Sequence, residues 1–398
     1  MEITEDIIQR DFYAIGSSFL FVTIFNIILV FIDDMGWADF SCFGNKDAKT
    51  PNIDQLAYEG IRFEQFYVNS PICSPSRVAI STGQYPQRWK ISSYLGHRAQ
   101  NEKRGMAQWL DPQAPMLARF LQSSGYATGH FGKWHLNHDK KYEPDRPGDP
   151  GSQGFDDVFT THKPRAGPPS IYKNDWHHVR QITERSLAFI EANKDRPFFC
   201  YVTHNSIHDP EIEKPELIEK YNRKKGAQKN GVLNPKQGAM LETLDQSFGQ
   251  LMQKLRDLKL EQNTLVVFFS DNGQLGPKEG APLRGSKGDL YEGGIRMPLI
   301  LRWPTVIQPN TTCEQVVISN DFFPTFSELA KANCNSGMDG ISLLSLFRQS
   351  HKKLKRESIY WHFPHYHGSG LGPQGAIRKG NYKLIEWFEK SAFNEAEA

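Results

Sequence analysis

Cysteine is scarce in this chain, with five residues (Cys42, Cys73, Cys200, Cys313 and Cys334) spread over 398 positions. Five scattered thiols exclude a disulfide scaffold, and an odd number leaves at least one unpaired, so they do not reveal the redox compartment. An excess of one charge is also missing. The 47 Lys and Arg against 45 Asp and Glu leave a formal charge of +2, without the basic face that nucleic-acid binders carry. A local basic pocket for a small anion stays open. There is no internal repeat and no low-complexity tract, and a hydrophobic content of 38% suits a chain that buries a large core. A long apolar run occurs at Ala14 to Ile32. It is long enough to span a bilayer, but Glu2, Glu5, Asp6 and Asp11 make the start acidic where a signal peptide is basic. Its second half, Phe25 to Ile32, reads better as a central strand buried on both faces, so a membrane segment is not expected.

Apolar runs bounded by turn residues alternate with helical patterns, which predicts an α/β fold: a large, mainly parallel sheet sandwiched by helices. The clearest strands are Asn26 to Ile32, Phe198 to Thr203 and Leu265 to Ser270. Apolar residues spaced three and four apart predict helices over Asn52 to Glu59, Met116 to Ser123, Val179 to Ala192 and Gly238 to Leu258, with Asp245, Ser247 and Gln250 on a solvent face. The Pro- and Gly-rich stretch Tyr142 to Pro169 reads as a long surface excursion. A change of composition after Ser350 suggests three parts: a variable segment 1–24, a catalytic domain 25–350, and a small C-terminal α+β subdomain 351–398.

Two predicted strands run directly into acids, Asp33-Asp34 and Asp271-Asn272. Ligands of open α/β sheets sit beyond the carboxyl ends of the strands, so the two pairs can converge on one site. Three carboxylates and an amide oxygen are hard donors suited to a divalent cation, calcium or magnesium, and no Cys/His cluster among them suggests zinc. The plainer alternative is that each acid caps the turn after its strand.

Cys73 lies between Pro71 and Pro75, with Arg77 four residues on and a helix-like run, Val78 to Thr82, behind it. A helix start beside an arginine makes a cysteine reactive. The segment Cys73-Ser74-Pro75-Ser76-Arg77 resembles the signature of the type I sulfatases of the alkaline phosphatase superfamily, which include arylsulfatases and N-acetylgalactosamine-6-sulfatases. Further blocks of that family follow in its order: Asp33-Asp34-Met35-Gly36-Trp37, Thr50-Pro51-Asn52-Ile53-Asp54, Gly132-Lys133-Trp134-His135, Ser270-Asp271-Asn272-Gly273, Arg284 to Gly288 and Glu292 to Arg296.

The resemblance implies a sulfuric ester hydrolase whose Cys73 is oxidised to formylglycine by a maturation enzyme. Asp33, Asp34, Asp271 and Asn272, completed by the modified Cys73, are then the calcium ligands. Arg77 and Lys133 stabilise the modified residue, His135 serves it as a base, and His208 and Lys287 bind the substrate, either one supplying the leaving alcohol's proton. His204 is a weaker alternative to His208, since Asp209 separates His208 from Pro210 where the family histidine closely precedes a proline. Positive groups are needed because a sulfate ester is an anion that repels its nucleophile. A hydrated aldehyde offers one hydroxyl to attack sulfur and a second to expel sulfate, a step that plain Ser or Cys lacks. The run Trp361 to His367 suggests a sugar-binding wall, with His362 and His365 as contacts; a zinc loop is disfavoured because no fourth ligand is evident. The expected partner is a sulfated small molecule or saccharide. The resemblance leans to a periplasmic or secreted location. Two other readings stay open: a phosphomonoester or phosphonate hydrolase of the same superfamily, and a non-catalytic anion binder with Cys73 unmodified.

Overall fold

The apolar run Asn26–Ile32 forms strand β1, at the centre of the molecule. In this computed structural model, residues 25–164, 168–223, 234–276, 281–331, 337–368 and 372–389 are described; the predicted N-terminal segment 1–24 lies outside them. Among the described residues no helix is long and apolar enough to cross a membrane.

β1 is the fourth strand of an eight-stranded sheet, ordered β5 (Asp157–Thr161), β4 (Ala127–Lys133), β6 (Phe198–His204), β1, β7 (Thr264–Ser270), β8 (Leu299–Arg302), β2 (Ile61–Phe63) and β9 (Thr311–Cys313). The first five run parallel, while β8 is antiparallel to both its neighbours. Strand side chains alternate between faces. Ile27, Leu29 and Phe31 therefore enter one hydrophobic cluster and Ile28, Val30 and Ile32 the other. Each fully buried side chain of this kind is worth roughly 1.5–3 kcal/mol. Helices Cys73–Thr82, Leu117–Ser123 and Phe322–Leu329 contribute buried residues to the first cluster; Pro51–Glu59, Val179–Ala192 and Pro235–Asp257 cover the other face. Two short parallel strands, β3 (Phe66–Tyr67) and β10 (Val317–Ile318), pair beside the main sheet.

The C-terminal part is an antiparallel sheet of β11 (Ser358–Phe363), β12 (Gln374–Lys379) and β13 (Tyr382–Trp387). It is not insulated from the main core, because β11 buries Ile359, Trp361 and Phe363 in the first cluster, whereas β13 leaves Tyr382 and Leu384 exposed.

Several expectations need correction. Asp245 and Ser247 do not face solvent; only Gln250 does. Asp245 accepts hydrogen bonds from the backbone of Asn52 and Ile53 (3.0 and 2.9 Å) and from Asn52 Nδ2 (2.7 Å), capping a helix start on another segment. Ser247 bonds Thr183 across the helix pair. The stretch Tyr142 to Pro169 is not wholly a surface excursion, since it contains the edge strand β5. The helix bearing Cys73 begins at that residue rather than at Val78. Lys133 is the last residue of β4.

Candidate active site

Register builds the site. Ile32 of β1 pairs with His204 on one side and Ser270 on the other, so Asp33 and Asp271 leave neighbouring parallel strands at the same level. Gly132 of β4 pairs with Thr203, which brings Lys133 to the same edge. Gly132 adopts φ +121°, and a Cβ there would come within 1.9 Å of the Thr203 carbonyl oxygen, so no larger residue fits before this lysine.

Asp33, Asp34 and Asp271 are fully buried, and one carboxylate oxygen from each lies within 4.8 Å of the others. Cationic side chains reach in from four directions. Arg77, on the Cys73 helix, places Nε and Nη2 at 2.9 and 2.7 Å from Asp271 Oδ2 and donates from Nη1 to the Lys133 carbonyl at 2.6 Å. Lys133 Nζ donates to Asp33 Oδ2 at 2.6 Å. Lys287 Nζ sits 2.6 and 2.8 Å from the two oxygens of Asp34, and His208 Nε2 lies 3.6 Å from Asp34 Oδ2. Asn272 Nδ2 donates to Asp34 Oδ1 at 2.8 Å. Its Oδ1, like Asp33 Oδ1, is buried without a hydrogen-bond partner among the described residues. Buried acceptors left open between carboxylates are what a hard cation needs, and Asp33, Asp34, Asp271 and Asn272 fit one. The Cys73 sulfur is not among the converging atoms.

Burial works to raise the Asp33 carboxyl, but Lys133, His208 and Arg77 hold it well below the usual range. Asp271 goes the other way. Burial, reinforced by the negative charge of Asp33 and opposed by Arg77, lifts it to about 7; a bound cation favours its ionised form.

Cys73 is buried at the first turn of its helix, where unpaired backbone N–H groups favour negative charge. The Leu95 amide donates to Ser74 Oγ next to it (3.0 Å), and the Gly288 amide donates to the Pro71 carbonyl (2.9 Å). These bonds tie the Cys73 turn to the loop that carries Lys287. Among the described residues His135 makes one hydrogen bond, from Nε2 to the Leu95 carbonyl at 3.0 Å, while its Nδ1 is buried with no partner. A carbonyl only accepts, so Nε2 carries the proton and Nδ1 the lone pair. Burial, then Lys133 and Arg77, hold this ring well below its ordinary pKa. His208 has the opposite setting. Its Nδ1 faces two acceptors, Asp209 Oδ1 at 2.7 Å and the Asp209 carbonyl at 2.9 Å, and although burial opposes it, Asp34 and Asp33 raise its pKa. His204 is buried with Nδ1 unpartnered, held to about 4 by burial.

The structure does not bring all the predicted contacts together. His362 follows the alternation of β11: Trp361 and Phe363 point inward, and His362 stands exposed with its ring against Phe388, away from the acidic cluster. His365 bonds Ser92 Oγ at 2.8 Å. The histidine that reaches the site is His367, whose ring lies against Gly288 beside Lys287. Its only sequence signal is the aromatic run it shares with the other two.

This buried cationic cage around a carboxylate cluster, at the carboxyl edge of a mainly parallel sheet, defines a hydrolase of anionic esters with the alkaline-phosphatase architecture. The comparisons narrow the class. The sequence model described as Sulfatase matches residues 25–332, and one described as N-sulphoglucosamine sulphohydrolase, C-terminal, matches residues 286–396. The chain is 32% identical to arylsulfatase A of Homo sapiens over 94% of its own length and 77% of that protein's. It is 30% identical to N-acetylgalactosamine-6-sulfatase of Sus scrofa over 93% of its length and 73% of that protein's. A crystal structure of Ps i-CgsB in complex with k-i-k-neocarrahexaose superposes with a TM-score of 0.77 at 28% identity, covering 92% of this chain and 84% of that one. The chain belongs to the sulfatase family and is a sulfuric ester hydrolase.

Proposed function

We propose that the chain hydrolyses sulfate esters of carbohydrates or aryl alcohols, using a formylglycine made from Cys73 and a calcium ion held by Asp33, Asp34, Asp271 and Asn272. The observation that carries this reading is the pair of orphaned buried acceptors, Asn272 Oδ1 and Asp33 Oδ1, inside a ring of Arg77, Lys133 and Lys287. When present, the cation and the hydrated aldehyde supply charge neutralisation and a nucleophilic hydroxyl with a second hydroxyl beside it. The chain's own groups do the rest. Lys133 and Lys287 offset the negative charge of the sulfate in a buried setting where such interactions are strong. Arg77 clamps Asp271 and the end of β4 together, keeping the Cys73 turn and the acids in one frame. His135, with its free lone pair at Nδ1, takes a proton; His208, with acceptors at Nδ1 and a carboxylate beyond Nε2, gives one to the leaving alcohol. A maturation enzyme that oxidises Cys73 is the implied partner. The resemblance to N-acetylgalactosamine-6-sulfatase and to a protein crystallised with a neocarrahexaose supports a saccharide as the alcohol part.

The test compares turnover of an aryl sulfate with that of the matching aryl phosphate by protein co-expressed with a maturation enzyme. Preference for the sulfate is expected. A strong preference for the phosphate reassigns the chain to ester hydrolysis at phosphorus, and no turnover of either points to a binding protein.

A further inference from the structure

A chain of contacts on the rim of the site has no role in the reaction so far. Leu95 bonds both to Ser74, next to Cys73, and to His135. The residues just before it turn outward to a cation. Tyr94 lies under the Arg104 guanidinium, with Cζ 4.6 Å from the ring centroid, Nη2 3.2 Å from the phenol oxygen, and Gln100 Nε2 donating to the same oxygen at 3.0 Å. Ser92 holds His365. The far end of this arc is His367, packed so closely on Gly288 that a Cβ there would come 2.2 Å from its Nδ1. The arc thus starts beside Cys73 and ends beside Lys287.

Arg104 is the unusual member. Among the described residues no carboxylate pairs with it, and its Nη1 is buried without a hydrogen-bond partner. A buried guanidinium nitrogen left open is costly unless a ligand completes it. Guanidinium has the fork geometry that matches carboxylate and sulfate oxygens. The charge of Arg104 bears on both histidines: burial first and Arg104 second keep His365 neutral, at about 4, and burial, Lys287 and Arg104 lower His367. Arg104 thus brings a positive charge to the rim, beside two imidazoles whose protonation it disfavours.

We propose that Arg104, with Tyr94, His365 and His367, forms a subsite for a second anionic group, a carboxylate or another sulfate, on the saccharide whose sulfate ester is cleaved at Cys73. This rests on the sulfatase reading above. It makes the preferred substrate a sulfated saccharide carrying at least two negative charges, one cleaved and one gripped.

The experiment uses calcium-loaded protein co-expressed with a maturation enzyme and three disaccharides sharing one cleavable sulfate: one otherwise neutral, one with a neighbouring uronate carboxylate, and one with a neighbouring second sulfate. The wild type is expected to favour one charged disaccharide over the neutral one by about tenfold or more in kcat/KM, as befits one charge-assisted contact, and the favoured arm names the group. Arg104→Met should collapse that ratio towards one, chiefly through KM, and Arg104→Lys should keep part of it, while thermal melting reports whether each variant folds. A wild-type ratio near one, or an equal loss on all three substrates in R104M, overturns the subsite. If the wild type cleaves no sulfate ester at all, the sulfatase reading fails on its own. The subsite is then judged by the same ratio in dissociation constants from calorimetry, with a ratio near one again overturning it.

Discussion

Arg77 holds Asp271 with two nitrogens on one oxygen, Nε at 2.9 Å and Nη2 at 2.7 Å from Oδ2, and both side chains are sealed from solvent although 194 residues separate them. The same guanidinium lies over the Phe31 ring and 3.6 Å from Asp33 Oδ1. One side chain therefore fastens the Cys73 helix to the ends of three strands.

Removing that fastening leaves two buried carboxylates facing each other. Arg77→Leu should destabilise the fold by about 3–5 kcal/mol, the usual consequence of breaking a buried ion pair from one side. Arg77→Lys should recover only part of this, since an ammonium does not span both Asp271 and the Lys133 carbonyl. Denaturant midpoints read the difference, and an unchanged midpoint in R77L contradicts the clamp.

Asp245 makes a quieter prediction. It satisfies the Asn52 and Ile53 amides at the start of helix Pro51–Glu59 from a distance of 193 and 192 residues in sequence. Asp245→Ala should cost about 1–2 kcal/mol, as lost caps do, with activity per folded molecule unchanged. Loss of activity at full stability would assign it to the site instead.

Asp245 also shows where the sequence stops being legible. Periodicity placed Val179–Ala192 to the residue, and it located the strand β1 and the acids after β1 and β7, because core burial and strand ends leave local patterns. The partners of Asp245 are too far along the chain to leave any. β4 (ATGHFGK) was not foreseen, since Gly, His and Lys are poor strand formers and only its neighbours β5 and β6 stabilise it. The same limit affected the histidine run: the sequence pointed to His362 and His365 as contacts and not to His367, and only the alternation of β11 and the Gly288 contact separate the outward ring from the one at the site.

His130 predicts a pH effect. It is fully buried among Trp134, Phe155 and Tyr201, with neither ring nitrogen in a hydrogen bond of good geometry, and burial, helped by the charge of Arg77, pushes its pKa down to about 3. The folded state binds the proton less readily than the unfolded one. Its contribution to stability is full above about pH 6.5 and declines as pH falls towards 3, by about 2 kcal/mol between pH 7 and 5. His130→Phe should flatten the stability–pH curve in that window by this amount. A slope identical to wild type contradicts the assignment.

Calcium removal should act on fold and function together. A cation that joins Asp33, Asp34, Asp271 and Asn272 binds only the folded chain, so saturating calcium should raise the melting temperature by roughly 3 °C, as a ligand at about a hundred times its dissociation constant does in a domain of this size. Asn272→Leu should abolish the shift. Full activity and an unchanged melting temperature in excess chelator contradict the metal site.

The most direct test of the account is the mass of the tryptic peptide containing Cys73, measured alongside sulfatase activity in preparations made with graded amounts of maturation enzyme. The account predicts a peptide in which oxygen has replaced sulfur and two hydrogens, with specific activity proportional to the converted fraction and absent in Cys73→Ala. Sulfate release by protein whose Cys73 is entirely unmodified thiol would contradict it.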